Sequence, residues 1–339
     1  MSGVQIKKVL SDEDGMRLDR WFRQHFPQIR HGMLEKFLRK GQVRVDGGRV
    51  KANARLVSGQ DVRIPPIDHI STSKEGEKGP SNSQSRSDGK TLARDRALIE
   101  DMTIFEDDHL LVLNKPHGLA VQGGTNTKHH IDAMMESVIK DGVRPRLVHR
   151  LDRDTSGVLV LAKTRKAATR LGEFFQKHQV EKTYWALTAG IAHPREGTIN
   201  MPIAKRMVTI KDNEQQERMI PVEGEDAKKA ITDFQTIDDA GAGVAFIALR
   251  PRTGRTHQLR VHCTAIGIPI IGDGKYGKAG AKLDGISSKL HLFCRSMSFR
   301  HPHSGAMVNF TAQPSGHFKE SLKFFTFNQN ANVEWPDII

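Results

Sequence analysis

Cysteine is close to absent from this chain. Cys263 and Cys294 are the only two among 339 residues. That excludes a disulfide scaffold and an all-cysteine zinc site, and it fits a reducing, cytoplasmic compartment. Long apolar runs are missing as well, and none approaches the length that spans a bilayer. The opening residues, Met1 to Asp14, contain the acidic cluster Asp12-Glu13-Asp14 and no apolar core. Neither a signal peptide nor an Arg-rich transit peptide is expected from them. Internal repeats are absent. Hydrophobic residues make up only 37% of the chain, so an extended polar segment is expected within it. The length suggests two domains, or one large domain with an appendage.

Positive charge is what the chain has in excess. The formal net charge is +13 at pH 7, which points to a polyanionic partner, nucleic acid or an anionic membrane. A membrane-surface role wants a long basic amphipathic helix, and the sequence offers none of adequate length. Nucleic acid is the better match.

Residues 15–65 form a small basic unit. From Met1 to Pro66 there are 14 Lys and Arg against 7 Asp and Glu, too lopsided for a merely solvated face. Met16 to Phe22 reads as one helix and Met33 to Lys40 as a second, with Leu34, Phe37 and Leu38 on one face and Gly41 as its stop. Val43-Arg44-Val45, Arg49-Val50 and Asp61 to Ile64 read as short strands around a turn at Asp46-Gly47-Gly48. Arg39, Lys40 and Arg44 fall at the helix–strand junction, a phosphate-contact patch. Residues 66–98 change character: Ser, Gly, Lys and Glu dominate and large apolar residues are scarce. A flexible linker is expected there, because the stretch cannot bury enough surface to offset its ordering entropy. Residues 99–329 make the second domain, and 330–339 a tail. Strands are expected at 108–114, 158–162, 183–188, 230–234 and 244–249, and helices at 131–139, 166–177 and 257–266. Many strands with scattered helices give an α+β fold around a mixed, mostly antiparallel sheet.

One stretch stands out in that domain, Leu147-Val148-His149-Arg150-Leu151-Asp152-Arg153-Asp154-Thr155-Ser156-Gly157. A charged loop leads into the apolar run Val158 to Ala162, which reads as a buried strand. Asp152 or Asp154 can be held half-desolvated beside a cation, a site-like setting. The competing reading is a solvated turn with structural ion pairs. Two other stretches add to it: Glu181-Lys182-Thr183-Tyr184-Trp185-Ala186, and Arg252-Thr253-Gly254-Arg255-Thr256-His257-Gln258-Leu259-Arg260-Val261-His262. Thr256 is a good helix N-cap, which places Arg260 near the first turn. Arg252, Arg255, His257 and Arg260 cluster at that turn, as anion contacts do.

Two resemblances follow from these motifs. Arg17-Leu18-Asp19, then Leu38 to Gly47, then Ser58-Gly59-Gln60-Asp61-Val62 resemble the S4 RNA-binding module, an α/β unit whose second helix and following loop lie on structured RNA. The departure is Ile29-Arg30-His31-Gly32, where the module usually shows a Ser-Arg pair and only Arg30 keeps the charge. Asn114-Lys115-Pro116-x-Gly118, His149-Arg150-Leu151-Asp152-x-x-Thr155-Ser156-Gly157, Lys182-x-Tyr184-x-Ala186, and Gly254 to His262 followed by Gly267-x-Pro269-Ile270-x-Gly272-Asp273 occur in the order of the RluA-type pseudouridine synthases. With an S4 module in front, the chain resembles their RluC/RluD branch. That resemblance implies isomerisation of uridine to pseudouridine in RNA, most of all 23S ribosomal RNA, by base flipping and without cofactor or metal. By position it assigns Asp152 as the catalytic carboxylate and Arg260 as the cation that keeps it ionised. It assigns Tyr184 to stack on the uracil and assist proton removal at C5, and Arg150 to fill the space of the flipped base. Arg255 and His257 are expected on the RNA, and Asp154 in support of the loop. A monomeric cytoplasmic enzyme acting on large-subunit ribosomal RNA or a pre-ribosomal particle is expected, with no membrane partner.

Other signals carry less. Gly272-Asp273-Gly274-Lys275-Tyr276-Gly277 satisfies G-x-G-x-x-G but lies in a turn-like stretch, not at the start of a βαβ unit. His257 and His262 are five apart and do not share a helix face as metal ligands would, so hydrogen-bonding roles are expected. The alternative function is a non-catalytic RNA-binding ribosome-assembly factor. Such a factor has no need of a carboxylate facing RNA phosphates.

Overall fold

The computed structural model describes residues 4–10, 13–29, 31–66, 89–123, 127, 129–140, 142–210, 214–241 and 243–335. The chain divides into two units, Met1–Ser83 and Gln84–Ile339.

The first unit is a three-stranded antiparallel sheet with two helices. Its elements are β1 (Gln5–Lys8), α1 (Leu18–His25), α2 (His31–Arg39), β2 (Arg44–Val45) and β3 (Asp61–Ile64), with sheet order β1-β3-β2. Leu18, Trp21 and Phe22 from α1 and Leu34 and Leu38 from α2 close over Val43, Val45, Val62 and Ile64. Strand β1 lies in the segment read as preceding the unit. All four of its residues are exposed, so it shows no alternation, and only its backbone pairing to β3 reveals it. Arg49-Val50 is not a strand. Asp46 and Gly47 turn through positive φ, and the return is a lone bridge between Val45 and Gly48.

Of the expected linker, residues 67–88 lie outside the described residues, and residues 89–98 are helical. They begin α3 (Gly89–Met102), which buries Asp95, Ile99 and Met102 along one side. Its buried side is a short spacing inside a polar segment, and Asp95 is anchored by His129 at 3.0 Å, a contact 34 residues away.

The second unit continues with β4 (Thr103–Glu106), β5 (Leu110–Lys115), α4 (Ile131–Met134), β6 (Arg146–Leu147), β7 (Ser156–Ala162), α5 (Arg165–Gln176), β8 (Glu181–Ala189) and β9 (Glu196–Asn200). Then come β10 (Ile203–Thr209), β11 (Gln215–Pro221), β12 (Ile231–Asp239), β13 (Val244–Pro251), α6 (Gln258–Ala265), β14 (Leu292–Arg300), β15 (Met307–Thr311) and α7 (Gly316–Phe324). A ten-stranded sheet runs β4-β5-β7-β14-β8-β13-β12-β9, with β15 on β14 and β6 on β7. Among the described residues only the β7–β14 pair is parallel, so the sheet is mixed and mostly antiparallel, as expected. Strands β10 and β11 form a separate ribbon. The expected helix at 131–139 holds as α4 for four residues and continues as a 3₁₀ turn over Met135–Val138.

Strand β7 is buried over all seven residues, and β13 over seven of eight. Buried centres of this kind, read as continuous apolar runs, make a rigid platform. One layer of the core packs Trp185, Phe246 and Phe293 with α7, the other packs Ile247 and Leu249 with α6. Among the described residues no helix is long and apolar enough to cross a membrane.

Candidate active site

The loop that carries Asp152 is held at both ends. Behind it, β7 enters the sheet beside β14 with Gly157 opposite Cys294. Gly157 has φ +105°, and a Cβ there would lie 2.1 Å from the Cys294 carbonyl oxygen, so no other residue fits. Within the loop the Thr155 N–H donates to the Asp152 carbonyl at 3.1 Å, closing a turn. Ahead of it, His149 folds back on the same strand. Its Nε2 accepts from the Val160 N–H at 2.9 Å, and its ring stacks on Phe175 at 4.5 Å. Burial, with Lys182 nearby, pushes His149 down to about 3, so it stands neutral.

Lys115 ties this loop to its neighbour. It ends β5, opposite Gly157, and is fully buried. Its ammonium donates to the carbonyls of Pro116 (3.0 Å), Leu119 (2.8 Å) and Arg153 (2.9 Å). Gly118 N–H donates to the Arg153 carbonyl and Arg153 Nε donates back to the Gly118 carbonyl, at 3.0 and 3.1 Å. The Asn-Lys-Pro-x-Gly motif is thus a clamp on the Asp152 loop. Burial pushes Lys115 down to about 7 against the pull of Asp154 and Asp152. Lys115→Met keeps the stem and removes the donor from the carbonyls of Pro116 and Leu119, while the Arg153 carbonyl keeps the Gly118 N–H. The expected loss is about 2–4 kcal/mol of stability, read as a lower urea midpoint; an unmoved midpoint would show that other contacts hold the loop.

The third stretch approaches from α6. The helix starts at Gln258, and its N-cap is His257, not Thr256. His257 takes φ +54°, ψ +18° and makes no side-chain cap bond. Gln258 substitutes for the expected cap, its Oε1 accepting from Arg255 N–H at 3.1 Å and Thr253 Oγ1 at 2.7 Å. The left-handed turn directs the imidazole across the site. Nδ1 lies 2.7 Å from the Tyr276 hydroxyl and Nε2 lies 3.6 Å from Asp152 Oδ2.

Arg260 is buried and makes a two-pronged pair with Asp273, both contacts 2.8 Å. Its direct partner is therefore Asp273, while Asp152 acts on it at longer range as one of the charges holding its pKa up, against the opposing effect of burial. Asp273 is fully buried and also accepts from the N–H groups of Lys275 and Tyr276, each at 3.0 Å. Gly272 makes this possible. It has φ +78°, and a Cβ would lie 2.0 Å from the Lys289 carbonyl oxygen. The G-x-G-x-x-G stretch is a turn that supports Arg260, and only a four-residue 3₁₀ helix, Lys278–Ala281, opens on it.

Tyr184 comes from β8, opposite Cys294 on β14 and Leu249 on β13. Burial first, then the Cys294 thiol that its hydroxyl bonds and the Asp152 charge, push the phenol well above its ordinary value. Lys182, two residues back and so on the same strand face, is pushed down by burial.

Asp152, Tyr184, His257 and Arg260 thus converge, and Asp152 acts electrostatically on the other three. Arg150, two residues before Asp152, is exposed. Arg255 Nε donates to the Lys229 carbonyl at 3.1 Å, and Arg252 Nε donates to Asp233 at 2.8 Å, so both are partly committed to protein partners. Arg39, Lys40 and Arg44 belong to the first unit. There Arg39 lines a groove of about 680 Å³ with Arg17, Arg49 and Lys51; Arg44 donates to the carbonyls of Gly41 and Gly47 at 3.1 and 3.0 Å. His262 bonds Thr232 Oγ1 and the Met201 carbonyl at 2.9 and 3.0 Å. Among the described residues no three His, Cys, Asp or Glu side chains group to hold a metal. Sequence reasoning assigns no role to Lys115, Asp273 or Tyr276. The first two lie in recognisable motifs, but their partners are set by the fold.

A platform sheet with one half-buried carboxylate, a phenol and a buried guanidinium around it describes an RNA-modifying isomerase. The profile of the family described as RNA pseudouridylate synthase matches residues 109–265, and the chain belongs to that family. It is 32% identical over 329 residues to ribosomal large subunit pseudouridine synthase C of Escherichia coli K12, spanning 94% of this chain and 96% of that enzyme. The enzyme of that name from Vibrio vulnificus is 35% identical over 303 residues, 88% and 89% of the two chains. The solved structure of human RNA pseudouridylate synthase domain containing 4 superposes with a TM-score of 0.56 at 28% identity, over 69% of this chain and 97% of that one. The protein is an RNA pseudouridine synthase.

Proposed function

We propose that the chain isomerises uridine to pseudouridine in large-subunit ribosomal RNA, with Asp152, Tyr184 and Arg260 as its working residues. The observation that carries this is their convergence from a loop, a strand and a helix onto one carboxylate. The reaction breaks the N1–C1′ bond, turns the base, and forms a C5–C1′ bond; C5 gives up a proton and N1 gains one. The target is flipped from its stack before chemistry, and the exposed Arg150 takes the space it leaves. Asp152 reacts as the carboxylate, with sugar or base as its partner or as a base toward a sugar proton. Tyr184 lies against the uracil and assists removal of the C5 proton. Arg260, fixed by Asp273, holds its guanidinium beside the Asp152 carboxylate. The enzyme works as a cytoplasmic monomer without cofactor or metal. Tritium release from 5-tritiated uridine in protein-free 23S ribosomal RNA tests the reading. Release is expected, and none from any ribosomal RNA by folded, RNA-bound protein would overturn it.

The first unit serves as an S4-like RNA-binding module. Its helix–strand junction, Arg39, Lys40 and Arg44, meets phosphates, and Arg255 adds a contact in the second unit. Replacing Arg39, Lys40 and Arg44 together by Ala is expected to weaken RNA binding. The salt dependence should flatten by roughly 0.7–0.9 in log–log slope for each phosphate that is no longer neutralised. Unchanged affinity and slope would place the RNA path elsewhere. The groove adds Arg49 and Lys51 as the next positions to change.

A further inference from the structure

We propose that His257 is a positioning residue for Asp152: its neutral imidazole presents Nε2–H to the carboxylate, and the Tyr276 hydroxyl fixes that tautomer. The inference rests on the reading of Asp152 as the reacting carboxylate. It replaces the expectation that His257 contacts RNA.

The proton positions follow from the contacts around the ring. The Tyr276 oxygen accepts the Met219 N–H at 3.5 Å, so its own proton is free to go to His257 Nδ1, 2.7 Å away. A neutral imidazole whose Nδ1 accepts carries its proton on Nε2. Nε2 faces Asp152 Oδ2 at 3.6 Å, and catalytic hydrogen bonds of this kind tighten in the Michaelis complex. Burial first, then Arg260 and Lys275, hold the imidazole in its uncharged form against Asp152 and Asp273.

The placement is built, not incidental. His257 takes a left-handed φ of +54°, uncommon for a residue other than glycine, a conformation that collects at functional sites. Tyr276 is fixed in turn: its N–H donates to Asp273 Oδ1 at 3.0 Å, and the Arg260 guanidinium lies 5.1 Å over its ring. The Arg260–Asp273 pair therefore supports the Tyr276–His257 arm as well as the potential at Asp152. A neutral N–H on one carboxylate oxygen orients Asp152 and stabilises its charge without quenching it, and leaves the other oxygen free to react.

Steady-state kinetics on 23S ribosomal RNA with the full chain tests this, with Tyr276→Phe, His257→Ala and His257→Gln beside wild type and thermal midpoints measured in parallel. Tyr276→Phe is expected to lower kcat about ten-fold and His257→Ala about 100-fold, with KM within about two-fold in both. His257→Gln, whose amide restores a donor, is expected to recover most of the loss. Should His257→Ala fail to fold, Tyr276→Phe carries the test, since it removes one oxygen. A raised KM with kcat preserved, as an RNA contact would give, overturns the proposal, and so does a wild-type kcat in Tyr276→Phe. Wild type that makes no pseudouridine is a separate result: it counts against the functional reading itself.

Discussion

Asp152→Asn is expected to abolish tritium release and leave RNA binding within about two-fold of wild type. Asparagine has the shape of aspartate and neither its charge nor its reactivity, so the turn closed by the Asp152 carbonyl survives. The side chain is 28% exposed and makes no buried pair, so the fold does not depend on it. The loss falls on the transition state. A drop of at least about 10³ corresponds to about 4 kcal/mol at 1.36 kcal/mol per decade. Binding is retained because RNA affinity comes from basic groups meeting phosphates, to which a carboxylate contributes only repulsion. Single-turnover release at saturating RNA, with a filter-binding isotherm beside it, reads both quantities. A variant that keeps more than a tenth of wild-type turnover would show that the reacting group lies elsewhere. A non-catalytic assembly factor would show no difference between the two proteins.

Mild acid is expected to unfold the second unit. His149 is held at about 3 and His291 at about 4, both because burial penalises their charged forms. Unfolded, each titrates near 6.5. Between the folded and unfolded values the unfolded chain binds more protons, so stability falls as pH falls. The contribution is complete above about pH 6.5 and is lost toward the folded values, at about 1.4 kcal/mol per pH unit for each group. From pH 7.5 to 4.5 the two together cost about 5 kcal/mol, which is the size of a whole domain's net stability. His117, His257, His262 and His317 are shifted the same way and add with the same sign. Asp107 and Asp233, whose carboxyls are held low, give stability that is intact above about pH 4 and is lost only below it. Thermal midpoints across this range should fall steeply below pH 6. His149→Gln, which can still accept from Val160 N–H, should flatten the profile. Equal midpoints at pH 5 and pH 7.5 would mean that these histidines are protonated in the fold.

The motifs make the site legible. Asp152, Tyr184 and Arg260 are the positions that the family resemblance picks out, and Asp152 acts electrostatically on the other two. Strands built on continuous apolar runs, Val158 to Ala162 in β7 and Val244 to Leu249 in β13, are equally plain, because burial on both faces leaves such a run. Elements held by backbone pairing or a few contacts are not: β1 exposes all its side chains, and α3 begins inside a polar stretch. Strand β14 escapes sequence reasoning, although it sits at the sheet centre between β7 and β8. Its pairings to β7 and β8 join segments over a hundred residues apart, and no local spacing records them.

What residue order determined by itself was the fold class, the basic character and the motifs by which the family resemblance proposes the reacting groups, since composition, periodicity and motif spacing are local properties of the chain. Tertiary structure decided the partners. Arg260 meets Asp273 because Gly272 lets the chain pass within 2.0 Å of where a side chain would begin. Lys115 clamps Arg153 because β5 and β7 are neighbours. His257 faces Asp152 because its backbone turns left-handed just before α6. Each depends on which distant segments the sheet brings side by side, and that depends on the free energy of the whole fold, which no short stretch contains.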